Sequence, residues 1–267
     1  MELKQHEFKR IRDYIKEHYG IALGDEKSTL VFSRLRPLLK QKGFEDFSEY
    51  IDYLINDKTG EAAVVFINRL TTNHTFFMRE SEHIDFLRNT AFPWVESKFG
   101  RDLRLWCAGC SSGEEAYTLQ MAAKDYFEGK HGWDIEILAT DISERVLQQA
   151  TLGIYSNESL GSMPSHWLKK YFKPYDGNNM VVRDEIKNLV TYRKFNLMEE
   201  KLPFKKKFQI IFCRNVMIYF DNNTREALIN RFYNALEKDG YLFIGHSESL
   251  SNVKSNFKYV MPAVYKK

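Results

Sequence analysis

The sequence predicts an α/β chain with a parallel sheet, preceded by a small all-helical segment, and three observations carry this. Apolar residues recur at helical spacing from residue 2 to about 70. After about residue 100, short apolar runs alternate with helical stretches, the texture of a parallel sheet with helices on both faces. The 267 residues are 43% hydrophobic and 28% charged with only 14 Gly and 6 Pro, which is enough apolar surface for a sizeable core and excludes a disordered or low-complexity polymer.

In chain order, Phe8, Ile11, Ile15 and Tyr19 form a first helical stripe, and Leu30, Leu35, Leu38 and Leu39 contribute to a second. The helix beginning near Asp25 carries Arg34, Arg36, Lys40 and Lys42 and stops at Gly43; FSEYIDYLIN and EAAVVFINRL follow as a third and fourth helix of a small bundle. The strand candidates are LRLWCA at 103–108, IEILATD at 135–141, FQIIFCRN at 208–215 and YLFIGH at 241–246. Between Thr151 and Asn196 the alternation is broken by short β-branched runs around Pro174, Asp176 and Gly177, part of which reads as a small β-rich insertion. FKYVMPAVYKK reads as a last strand, antiparallel beside its predecessor because the link from Ser247 is short.

The net charge of +3 is too mild to make nucleic acid or a membrane surface the default partner. No run of about 18 apolar residues occurs, and the charged helical start has no apolar leader region, so a cytoplasmic protein without membrane insertion is expected. Three cysteines, Cys107, Cys110 and Cys213, make no disulfide framework and point to a reducing compartment.

The chemistry-bearing segments sit where strands end. LRLWCAGCSSGEE runs from a strand through Gly109 and Gly113 into a helix opened by Glu114 and Glu115, a loop that lets backbone approach a ligand. It is not GxGxxG, and two acidic residues at the helix start repel a pyrophosphate, so a cofactor with a cationic end suits it better. A tight turn with acidic residues favouring the helix N-terminus accounts for the same residues. Asp141, ending the next strand, can accept hydrogen bonds from ribose hydroxyls or cap the helix that follows. Cys107 and Cys110 form a CxxC, but no second Cys/His set completes a zinc tetrad and small buried thiols are the expected reading. His74, His83 and His246 lack metal-ligand spacing, so no metal is expected. Arg214, Asn215 and Tyr219 follow the 208–213 run at the mouth of the sheet, where a substrate would meet a cofactor. TTNHTFFMRE at 71–80, with Asn73, Thr75 and Arg79, reads from its residues as an interdomain linker with helix caps.

Taken together, TNHTFFMRE, CAGCSSGEEAYTL, ATDIS, FNL, IFCRNVMIYF and GHSESL closely resemble, in order, the bacterial chemotaxis receptor methyltransferases of the CheR type, over nearly the whole chain. The resemblance implies a class I S-adenosylmethionine (SAM) methyltransferase fold with a seven-stranded sheet. It divides the chain into a helical receptor-docking domain over 1–72 and a methyltransferase domain over 73–267, with a β-rich insertion at about 155–193. It implies that Asn73, Thr75 and Arg79 line the cofactor's methionine end, with Arg79 also near the reacting methyl. Glu114 would face the cofactor amino group and Asp141 the ribose hydroxyls, Asn196 and Leu197 would border the adenine, and Arg214 and Asn215 would complete the pocket. Gly109 belongs to the same cofactor loop, and Tyr219 would stand near the methyl acceptor.

The implied reaction converts glutamate side chains of chemoreceptor cytoplasmic domains to γ-methyl esters, leaving S-adenosylhomocysteine. Arg34, Arg36 and Lys40, with Lys42, would dock the acidic receptor bundle. Two departures stand out: Ala116 follows Gly-Glu-Glu where proline is common, and the Pro174–Asn179 loop is short and lacks a Gly-x-Gly turn. The second implies recognition independent of a receptor C-terminal pentapeptide tether. A monomer is the default expectation. Other readings of the same fold are a catalytically silent SAM-binding adaptor and a methyltransferase of small molecules or RNA.

Overall fold

A computed structural model describes residues 2–70 and 75–267. The chain forms two compact units, the first from the N-terminal residues to position 74 together with Tyr219–Thr224, the second from Thr75–Ile218 and Arg225–Lys267.

The first unit is helical. Helix α1 (Gln5–Tyr19) buries Phe8, Ile11 and Ile15; α2 (Ser28–Lys42) buries Val31, Leu35, Leu38 and Leu39; α3 (Phe47–Asn56) and α4 (Glu61–Leu70) supply Phe47, Ile51, Leu54, Phe66 and Ile67. The expected second helix is preceded by a separate 3-10 turn, Asp25–Lys27, and begins three residues later than its first acidic residue. Asp46 caps α3 by accepting from the Glu49 N–H at 2.9 Å, and Asp57 accepts from the Ala62 N–H in the first turn of α4 at 2.7 Å. The 219–224 segment belongs here: the Ala22 N–H donates to the Tyr219 carbonyl at 2.8 Å, and Lys16 pairs with Asp221 at 2.9 Å.

In the second unit, α5 (Glu82–Phe86), a π-helical turn (Leu87–Ala91) and α6 (Phe92–Lys98) lead into β1 (Asp102–Ala108), α7 (Glu114–Tyr126), β2 (Asp134–Asp141) and α8 (Glu144–Leu152). The insertion follows: β3 (Ile154–Ser156), α9 (Ser165–Tyr171), β4 (Phe172–Pro174) and β5 (Asn179–Val182), with β5 antiparallel between β3 and β4 in a sheet of its own. Then come α10 (Asp184–Lys187), β6 (Val190–Lys194), β7 (Phe208–Cys213), α11 (Asn222–Ala235, shared with the first unit at its start), β8 (Leu236–Ile244), β9 (Lys258–Met261) and β10 (Val264–Lys266).

The main sheet has the order β6-β2-β1-β7-β8-β10-β9; the first five strands are parallel, β10 pairs antiparallel with β8, and β9 antiparallel with β10. The expected single C-terminal strand is a hairpin, because Pro262 offers no N–H to a ladder and Ala263 takes a left-handed φ of 61°. Both faces of central β1 are covered. Leu103, Leu105 and Cys107 join one apolar core with Phe92, Val95 and Met121; Trp106, on the opposite face, packs among Phe195, Phe204, Phe208 and Phe232. Its indole N–H donates to Thr140 Oγ1 at 2.9 Å, tying β1 to β2 just before both strands end. The loops beyond those ends carry the candidate site.

Candidate active site

The loop after β1 is held by its neighbour strand. The N–H groups of Gly109 and Cys110 both donate to the Thr140 carbonyl, at 2.8 and 2.9 Å, and the Ser111 N–H donates to Asp141 Oδ2 at 2.9 Å. Gly109 (φ 86°) and Gly113 (φ 98°) take left-handed backbone that side chains resist, and neither has room for a Cβ. At Gly109 that atom would lie 2.5 Å from Val216 Cγ2; at Gly113 it would lie 2.7 Å from Ala150 Cβ and 2.9 Å from the Tyr155 hydroxyl. These glycines therefore admit the protein's own side chains, a packing reason that the expectation of ligand approach did not include.

Asp141 serves two neighbours at once: Oδ2 accepts from Ser111 and Oδ1 from the Ser143 N–H at 3.0 Å; the N-cap of α8 is Ser143, so Asp141 closes the turn before the helix and does not cap it. Each carboxylate oxygen still has a lone pair for a hydroxyl donor. Burial raises the Asp141 pKa, and the Ser143 and Ser111 N–H groups offset this only partly. Glu114 is likewise buried and accepts from Ser112 Oγ at 2.8 and 3.0 Å; burial again pushes its pKa up. A cationic ligand group beside Glu114 and a diol beside Asp141 would offset that burial, so the donor set fits the ammonium and ribose of SAM. Asn196 and Leu197 lie next to Asp141, since the Phe195 N–H donates to the Asp141 carbonyl at 3.0 Å. Asn196 Oδ1 accepts from the Met198 N–H at 3.0 Å, and Arg231, which sequence reasoning missed, donates to the carbonyls of Leu197 and Glu199 at 2.7 and 2.5 Å.

Beside β1, β7 runs directly into Arg214 and Asn215. The guanidinium does not reach for a ligand with Nε or Nη1. Nε donates to Glu115 Oε2 at 2.5 Å, and Nη1 donates to the Arg79 carbonyl at 2.6 Å and lies 3.4 Å from Glu80 Oε2 and 3.3 Å from His83 Nδ1. Arg214, expected to complete the cofactor pocket, thus has Nε and Nη1 engaged within the chain, against the largely shielded carboxylates of Glu115 and Glu80. Burial lowers the Arg214 pKa, but Glu115 and then Glu80 outweigh it and hold the group above its usual range. His83, fully buried beside this cation, is pushed down to about 3 by burial first, then by Arg214 and His246. Glu80, His83 and His246 come within 4.8 Å of one another despite their spacing in sequence, and the Arg214 charge lies against two of the three.

Asn215 has a left-handed φ of 59°, and its N–H donates to Glu248 Oε2 at 2.9 Å; the same oxygen accepts from the Gly245 N–H at 2.6 Å. Glu248 thus joins the loops after β7 and β8, a role carried by GHSESL that no single-residue argument revealed. Thr75 and Arg79 are partly exposed at the start of this unit, whereas Asn73 lies outside the described residues, as does His74. Tyr219 clusters with the first unit. Arg34, Arg36, Lys40 and Lys42 are exposed along α2, the first donating to the Arg69 carbonyl at 3.3 Å. All three cysteines are free and buried; Cys107 Sγ donates to Glu115 Oε1 at 3.1 Å, and burial raises each thiol's pKa, so none is poised as a nucleophile. Among the described residues no helix is long and apolar enough to cross a membrane.

Residues 73–265 match the family model described as CheR methyltransferase, SAM binding domain, and residues 6–71 match the CheR methyltransferase all-alpha domain. A chemotaxis protein methyltransferase of Borreliella burgdorferi is 44% identical over 266 residues, covering 98% of this chain and 94% of the relative. Those of Escherichia coli and Pseudomonas putida are 36% identical over 263 residues (97% and 89% covered) and 31% identical over 259 residues (95% and 94% covered). An all-helical unit, a seven-stranded sheet and two family models spanning nearly all of its length lead to one conclusion: the chain belongs to the CheR family of SAM-dependent chemotaxis methyltransferases.

Proposed function

We propose that this chain methylates glutamate side-chain carboxylates on the cytoplasmic domains of chemoreceptors, forming γ-methyl esters, and does so as a cytoplasmic monomer. The observation that carries the reading is the pair of acceptor-ready carboxylates that follow β1 and β2, the buried Glu114 at the start of α7 and the half-buried Asp141 at the end of β2, in a chain of this family. Bound SAM supplies an electrophilic methyl group on a sulfonium. Glu114 binds the cofactor's ammonium, Asp141 its ribose hydroxyls, Asn196 and Leu197 its adenine, and Asn73, Thr75, Gly109 and Asn215 complete the pocket.

A glutamate acceptor with an ordinary pKa near ~4.3 is already ionised at neutral pH, so no general base is required. Catalysis then consists of holding that carboxylate in line with the methyl group and excluding water. Arg79 binds the cofactor carboxylate and, with Tyr219, orients the acceptor; Tyr219→Phe is expected to lower turnover by about tenfold. The exposed Arg34, Arg36, Lys40 and Lys42 on α2 steer encounter with an acidic receptor bundle. Reversing three of these charges is therefore expected to slow receptor methylation and flatten its dependence on salt.

Recognition is independent of a C-terminal receptor tether. The β4–β5 turn is short and closed on itself by Asp176, which accepts from the N–H groups of Asn178 and Asn179 at 2.9 Å each. Micromolar binding of a receptor C-terminal pentapeptide would contradict this. The decisive experiment is transfer from methyl-labelled SAM to a purified receptor cytoplasmic domain, followed by mild alkali. Label released as methanol supports a carboxyl ester; no transfer despite cofactor binding would favour an adaptor or another acceptor.

A further inference from the structure

Arg79 sits between two residues in left-handed backbone, Met78 (φ 59°) and Glu80 (φ 53°), neither of them glycine. Such a conformation persists only where the surroundings over-determine it. Several contacts do so. The Phe77 ring is buried against Tyr155 and Phe172 of the insertion, and its carbonyl accepts from Ser162 Oγ at 2.6 Å. Glu80 Oε1 accepts from the His246 N–H at 3.1 Å. The Arg79 carbonyl itself accepts from Arg214 Nη1, whose side chain is 5% exposed and is held by Glu115 from the far side.

We propose that Arg214 is a positioning residue: with Glu115 and Glu80 it locks the 78–80 backbone and so sets the direction in which the Arg79 side chain leaves it. Arg214 then acts on the cofactor through Arg79 and not through a contact of its own guanidinium. The cluster suits this task because the guanidinium presents donors in a rigid planar fork, which lets it hold a carboxylate with one nitrogen and a backbone carbonyl with another. A lysine carries the charge without that geometry. The inference rests on the reading that Arg79 meets the cofactor, and its test is therefore read in cofactor affinity, which needs no methyl acceptor.

The experiment is a double-mutant cycle on the full chain, measuring S-adenosylhomocysteine binding by calorimetry for Arg79→Ala, Arg214→Lys and the pair. Each single change is expected to weaken binding by about tenfold, with the double variant within about twofold of Arg79→Ala alone. Losses that multiply to about a hundredfold would overturn the proposal, because Arg214 would then act without Arg79. Unchanged affinity in Arg214→Lys would overturn it as well. Glu80→Gln, which keeps the shape and removes one charge, is expected to show the same non-additivity with a smaller single effect, and it carries the test if Arg214→Lys melts. Unchanged affinity in Arg79→Ala would defeat the reading of Arg79 and this inference together. Intact coupling without methyl transfer to receptors would defeat only the proposed acceptor.

Discussion

Glu114 and Glu115 are consecutive residues of one helix turn with opposite surroundings. Successive helical side chains point about 100° apart, so the two carboxylates face different neighbours. Glu114 is held by a neutral hydroxyl, and burial raises its pKa more than its own backbone N–H and the Ser112 hydroxyl lower it. Glu115 accepts from the buried Arg214 and from Cys107, inside an ion cluster that includes Glu80. The first arrangement leaves a carboxylate whose charge is under-compensated and therefore suited to a cationic ligand. The second spends its charge within the protein. The contrast is that Glu115 is paired with a buried cation of the chain whereas Glu114 is held by a hydroxyl, so burial is compensated differently at two adjacent carboxylates.

The largest effect should follow from removing the cation. Arg214→Met leaves the largely shielded Glu115 and Glu80, each 11% exposed, without their counter-charge, and unfolding in urea should show a loss of about 3 kcal/mol or more. A loss under about 1 kcal/mol would break the contrast. Glu115→Gln, which weakens one side of the same cluster, should cost about 1.5–3 kcal/mol in the same assay.

His83 adds a pH signature to the cluster. Its folded value of about 3 against an ordinary 6.5 means that the unfolded chain takes up a proton the folded chain refuses. The stability involved is complete above pH 6.5 and is lost as pH falls towards 3, at up to about 1.4 kcal/mol per pH unit. Replacing His83 by Asn should flatten the stability profile between those values, measured as unfolding midpoints across a pH series.

Glu114→Gln should behave in the opposite sense to Glu115→Gln. Stability should stay within about 0.5 kcal/mol of wild type, because a desolvated charge is removed, whereas cofactor affinity should fall by about tenfold in calorimetry. The smallest effect is expected at the exposed pair of Lys194 with Glu144, 3.1 Å apart: Lys194→Met should change stability by less than about 0.5 kcal/mol. If it cost as much as Glu115→Gln, burial would not be what separates the two classes.

The fold was legible wherever periodicity and burial agree. Phe8, Ile11 and Ile15 share one face of α1, and the apolar runs ending in Ala108, Asp141 and Cys213 are β1, β2 and β7. Two boundaries were not. The C-terminal run splits at Pro262 and Ala263, and α2 starts after a separate turn, both local backbone events that apolar spacing does not encode. Asp141 ends β2 and Asn196 follows β6 beside it, as the apolar runs place them, and Glu114 opens the helix after β1. Glu80, Arg231 and Glu248 were passed over, and His83 and Glu115 were read without their Arg214 partner, because each acts on a residue distant in sequence: 134 positions separate Glu80 from Arg214 and 33 separate Glu248 from Asn215.

Patterns of period 2 and 3.6, turn residues and family motifs were therefore enough to reveal the elements, their order, the loops that bear chemistry and the cofactor class, because these depend on near neighbours along the chain. Which carboxylate meets Arg214 and which meets a hydroxyl was settled by packing. Arg214 reaches Glu115 across β1 and β7, Val216 fills the space beside Gly109, and Ala150 with Tyr155 fills the space beside Gly113. Charge compensation and steric room are properties of through-space distance, and only the folded chain brings those distances into being.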